Sequence, residues 1–134
     1  MQRRLVIAIM LLCTLLAASA CGSDSKPDVC SKRDDLKKSV DSLLSVNPVS
    51  DGTAEVRSRL ADVQDKTNEL AKAAGDEFGD EVDAFKTSLA KVSTDVKGLT
   101  GSDKSAALSA LSTDVPAVRT SYDALMDAVG SVCD

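Results

Sequence analysis

Histidine and tryptophan are missing from this chain, and aromatic rings are limited to two phenylalanines and one tyrosine. Without histidine there is no route to a zinc finger, to histidine-ligated haem, or to Ser-His-Asp or Cys-His catalysis. Positive charge is also in short supply: 16 Lys and Arg face 21 Asp and Glu, for a net charge of −5. A nucleic-acid surface needs a basic patch and stacking rings, so no nucleic-acid partner is expected. No alternating apolar-polar run of useful length reads as a strand. Gly-rich phosphate loops and nucleophile motifs are absent as well. The 134 residues suffice for one small domain and not for two.

What is present begins with an address. Met1-Gln2-Arg3-Arg4 carries two positive charges, Leu5 to Leu16 is apolar apart from Cys13 and Thr14, and the small residues Ala17-Ala18-Ser19-Ala20 precede Cys21. This is the order of a secretory signal peptide, and its apolar run is too short for a comfortable membrane span. The stretch Leu16-Ala17-Ala18-Ser19-Ala20-Cys21-Gly22-Ser23 resembles the lipobox of bacterial lipoproteins. It departs from the family at Ala18, where Leu or Val is preferred. The resemblance implies cleavage before Cys21, a diacylglyceryl group on its sulfur, and a lipid anchor on the extracytoplasmic face of the cell membrane. Two or more acyl chains hold a protein on a bilayer durably where one does not. The alternative is ordinary secretion, because Ala18-Ser19-Ala20 also reads as an A-x-A cleavage site. Cleavage leaves a mature net charge of −7.

On that reading Cys13 is discarded and Cys21 is lipidated, leaving Cys30 and Cys133 in a compartment that permits disulfides. The expected pairing is Cys30–Cys133, closing a loop of about 104 residues and contributing roughly 4–5 kcal/mol in the chain-entropy account. Two free thiols or an intermolecular bridge are the alternatives. No Cys-x-x-Cys is present to suggest a redox pair.

Residues 21–28 read as a polar tether, and residues 29–134 as an all-α domain. The first stripe is Val29, Leu36, Val40, Leu43 and Leu44, with Asp28 as a candidate cap and Asn47-Pro48 as the stop. The second is Val56, Leu60, Val63, Thr67, Leu70 and Ala74, between the turn residues Asp51-Gly52-Thr53 and Gly75. The third is Phe78, Val82, Phe85, Leu89, Val92, Val96 and Leu99, ending near Gly98 and Gly101. The fourth is Leu108, Leu111, Val115, Val118, Tyr122, Leu125, Val129 and Val132, and it contains Pro116 without a change of phase. The expected helices are about 29–46, 53–74, 77–98 and 103–132, with a kink near Pro116. Four-three spacing is that of bundle packing, so the expected fold is an up-down-up-down four-helix bundle. Cys30 opens the first helix and Cys133 ends the fourth, and these ends meet in a four-helix bundle but not in one of three.

No catalytic residue, metal ligand or cofactor is expected. The run Asp76, Glu77, Asp80, Glu81, Asp83 lacks the spacing of a calcium loop and reads as a charged helix start favoured by the helix dipole. Phe78, Phe85 and Tyr122 read as core, and Thr67 as a buried residue bonding its own helix or belonging to a polar network. If anchored at Cys21, the bundle would turn its cysteine end to the membrane and its Ser45–Thr53 and Gly98–Ser105 loops away from it. The leading functional expectation is a non-enzymatic envelope lipoprotein that engages an unidentified envelope protein or the cell wall. The alternative is a carrier or sensor holding a small apolar ligand or lipid between helices. An enzyme and a secreted inhibitor or immunity protein rank below both. Ala71, Ala73, Ala74, Ala84 and Ala90 suggest close helix packing, which argues against a large cavity. A cavity above about 300 Å³ favours the carrier. A filled bundle with an exposed apolar patch favours the partner module. Convergent carboxylates of raised pKa in a cleft favour an enzyme.

Overall fold

The computed structural model describes residues 25–47 and 50–134. The signal segment, Cys21 and Pro48 lie outside them. Four helices follow one another: α1 (Ser25–Ser45), α2 (Gly52–Ala74), α3 (Gly79–Gly98) and α4 (Lys104–Cys133). Each packs on its two neighbours in a ring, and the backbones of diagonal helices stay apart among the described residues. The closest pairings are α1 with α2 and α3 with α4, while α1 and α4 meet least. The molecule is therefore a four-helix bundle built from two tight hairpins.

Helix boundaries shift from the expected ones for local reasons. Helix α1 starts at Ser25 rather than at residue 29, so half of the expected tether is helical. Pro27 is no obstacle, because the first N–H groups of a helix have no partner inside it. Asp28 is then not a cap but an acid in the first turn, where the dipole favours it. Asp51 likewise makes no cap bond to α2. Its carboxylate accepts from the Asn47 N–H at 2.9 Å, and the Asp51 N–H donates to the Asn47 carbonyl at 2.8 Å, which closes the turn. Gly75 ends α2 at φ 62°, a value costly for any residue with a Cβ. Asp76 and Glu77 fall in the turn, and Phe78 stands buried just ahead of α3.

At Gly98 a Cβ would stand 3.1 Å from the Ala107 Cβ, so the missing side chain lets the end of α3 approach the start of α4. Helix α4 continues through Pro116 without a break, as the unbroken phase of its stripe requires.

The cysteine end is packed with buried apolar side chains. Leu36, Leu70, Leu125 and Val129 are fully buried there, with Val29, Phe78 and Val82 around them. The Cys30–Cys133 disulfide joins α1 to α4 with Cα atoms 5.6 Å apart. Arg33 Nη1 donates to Asp134 Oδ1 at 3.3 Å on the same seam. Between α1 and α2, Lys32 Nζ donates to Glu69 Oε2 at 3.1 Å, and Lys66 reaches the same carboxylate. The bond and charge of Glu69 raise the Lys32 pKa, and the two lysines lower that of Glu69. Ser39, buried, donates to Asp62 Oδ2 at 2.6 Å. Thr67 has no exposure and donates to the Val63 carbonyl at 2.7 Å, satisfying its hydroxyl within its own helix.

Candidate ligand cavity

The other half of the bundle is built differently. On α2 and α3 the stripe residues Leu60, Leu89, Val92 and Val96 are buried. On α1 and α4 the corresponding residues are not: Leu44 is 56% exposed, Leu108 60% and Val115 45%. Between the two walls lies a cavity of about 640 Å³, overwhelmingly apolar in its lining. It exceeds the expected limit of close packing, and the reason lies in where the small residues fall. Ala71, Ala73 and Ala74 sit at the cysteine end of α2, and Ala84 and Ala90 are exposed on α3. None of these alanines borders the cavity.

Phe85 and Tyr122 form its floor, their ring centroids 5.7 Å apart. They separate it from the filled cysteine end. Phe85 is fully buried, as expected of core, whereas Tyr122 is only partly so. Burial first, and then the charges of Asp41 and Asp123, push the Tyr122 phenol up to about 12, with Arg33 opposing. The phenol therefore stays neutral across the physiological range.

The charged residues of the lining are Asp41 on α1 and Arg119 and Asp123 on α4. The strongly exposed hydrophobics Leu44, Leu108 and Val115 lie on the same two helices. Charge and exposure both place the mouth along the α1–α4 seam. That seam is cross-linked only at the opposite end, by the disulfide and the Arg33–Asp134 pair, among the described residues.

A second polar group lies nearby but outside the cavity. Asp95 Oδ2 and Arg57 Nε are buried with no hydrogen-bond partner among the described residues, and Arg57 Nη2 donates to Thr100 at 3.2 Å. Burial, and then the neighbouring Asp114 carboxyl, raise the Asp95 pKa. Neither carboxylate borders the cavity.

The structure thus joins Cys30 to Cys133, while Cys21 lies outside the described residues. The acidic run is largely exposed around the start of α3, and no group of three potential metal ligands converges among the described residues. Asp41, Arg119 and Asp123 were not legible as site residues, because flank charges look alike in a heptad pattern. One signal did exist: no ring occurs between Phe85 and Tyr122, the stretch that supplies the far halves of α3 and α4. Among the described residues no helix is long and apolar enough to cross a membrane. Comparison with protein-family models, with curated proteins and with solved structures gave no match.

Proposed function

We propose that this chain is a non-enzymatic cell-envelope lipoprotein, anchored through Cys21, whose bundle holds a small apolar or lipid-like ligand between its helices. The observation that carries the ligand reading is the apolar cavity of about 640 Å³. Its volume falls within the range of about 300–1,000 Å³ typical of small-molecule sites, with a few polar groups to one side. The anchor reading rests on the lipobox-like segment ending at Cys21. With the lipid at the cysteine end, the cavity stands at the end turned away from the membrane.

The ligand reading is tested with Leu111→Trp, which places a large ring in the cavity wall. Binding of the uncharged tricyclic probe 1-aminoanthracene is expected to fall at least tenfold, and the melting temperature to hold or rise as space is filled. Undiminished probe binding in this variant overturns the reading. For the anchor, Cys21→Ser is expected to move the protein out of the membrane fraction. Retention there with normal processing argues against lipidation.

A second reading has its own observation. Leu44, Leu108 and Val115 are exposed on two adjacent helices, and such a patch suits a protein partner. Val115→Glu then disrupts a complex recovered from intact envelope while leaving the fold unchanged.

A further inference from the structure

The lining of the cavity is drawn out along the helix axes. Its lining on α3 runs from Phe85 to Leu99, and on α4 from Leu108 to Asp123. At 1.5 Å per residue these stretches span about 21 Å and about 22 Å. A sphere of the same 640 Å³ would be only ~11 Å across, about half the span set by the helix rise. A slot of this shape fits an extended hydrocarbon chain, which advances about 1.25 Å per carbon when its bonds are ~1.5 Å long. A chain of about 16 carbons therefore matches the slot. The Phe85–Tyr122 floor closes the slot at the cysteine end, level with Asp41 and Asp123, and the lining beyond it supplies apolar contact toward the loops at the other end.

The mouth adds a second constraint. The charged residues among the lining are one guanidinium and two carboxylates, all on the α1–α4 seam. Asp41 and Asp123 lie close enough to act together on Tyr122 from the two sides of that seam. Arg119, one turn before Asp123, is exposed and makes no hydrogen bond or ion pair with another described residue. A purely anionic head would meet two carboxylates, and a purely cationic one would meet Arg119. A head carrying both signs has a partner for each.

Resting on the ligand reading above, we infer that the slot binds one straight acyl chain of about 16 carbons, belonging to a single-chain lipid whose zwitterionic head lies among Asp41, Arg119 and Asp123. The open α1–α4 seam lets the chain enter sideways, while the disulfide end stays closed. No helix has to unfold for entry, because among the described residues the seam has no cross-link beside the mouth.

The test uses the full chain in an amphipathic polymer, with the polymer alone as blank. Bound 1-aminoanthracene is displaced by lysophosphatidylethanolamines of 8 to 18 carbons, by palmitate and by hexadecanol, each below its aggregation concentration. Affinity is expected to rise roughly three- to fourfold per methylene and to level off between about 14 and 16 carbons as the slot fills. The 16-carbon lysolipid is expected to bind at least fivefold more tightly than palmitate or hexadecanol. Arg119→Gln is expected to remove most of that preference, lowering lysolipid affinity several-fold more than hexadecanol affinity. Probe binding that no chain displaces overturns the inference and leaves the ligand reading standing. Displacement without dependence on chain length, or affinity still rising beyond 18 carbons, overturns it as well. Equal binding of the three heads, unchanged by Arg119→Gln, overturns the zwitterionic assignment. A protein that binds neither probe nor chain overturns the ligand reading together with this one.

Discussion

Asp95 shows how a single side chain can work against its fold. Its buried oxygen has no partner, and desolvation together with Asp114 raises its pKa above the ordinary 3.8. The folded protein thus holds this proton more tightly than the unfolded chain does. The sign of the linkage follows: stability falls as pH rises from the ordinary value through the raised one, and the full cost is present above it. Asp95→Asn keeps the shape and removes the charge. It is expected to raise the melting temperature at pH 7 by on the order of 2 °C, a gain that disappears below about pH 3.5 where the native carboxyl is protonated in both states. Thermal melts of both proteins across pH 3–7 check the crossing. Thr67 is the opposite case. Inside an apolar stripe its hydroxyl bonds the Val63 carbonyl of its own helix, the first of the two readings its position allows, and leaves nothing unsatisfied.

Among the elements, α4 carries the clearest internal conflict. It is the longest helix, with 30 residues, and Pro116 sits in its interior. A proline there removes one backbone bond and crowds the carbonyl four residues earlier, yet the helix continues because its stripe is held on both sides of the proline. Since Pro116 is exposed and packs against nothing in the core, Pro116→Ala is expected to stabilise the protein by about 1–3 kcal/mol. Urea unfolding measures it, and a loss of stability would show that the proline shapes the helix for packing. The stripes of all four helices could be read from spacing, as could the turns at Asn47–Asp51 and Gly75. The ends were less legible. The start of α1 is set by which weak helix-forming residues join a turn already held by Val29 and the disulfide, and no side-chain cap marks it.

For the molecule as a whole, the disulfide stands at the filled end and the cavity at the other, so stability and ligand space are separated along the bundle axis. Replacing both Cys30 and Cys133 by serine is expected to cost about 2–4 kcal/mol, read by chemical denaturation. The loss should appear in hydrogen exchange first along α1 and α4, because among the described residues their seam then keeps only the Arg33–Asp134 pair, which is exposed to solvent and weak. Uniform acceleration across all four helices would instead indicate that the bundle opens as one unit. The wide seam also explains why the alanine argument against a cavity failed. Ala71, Ala73 and Ala74 stand at the cysteine end and Ala84 and Ala90 on an exposed flank, so none of them narrows the cavity.

Much of the fold was fixed by pattern alone. Four-three spacing dictates helices, four stripes dictate a bundle, and the positions of Cys30 and Cys133 near opposite ends of the helical stretch agree with an even number of passes. Those properties are local or arithmetic, and periodicity carries them completely. The cavity is of another kind. It depends on how far apart two hairpins settle when the far halves of their stripes hold leucine and valine with no ring to bridge the gap, and on which flank charges then meet across the α1–α4 seam. Volume left over between helices is a property of four surfaces together. No single stripe records it, and so the site came into view only when the helices were assembled.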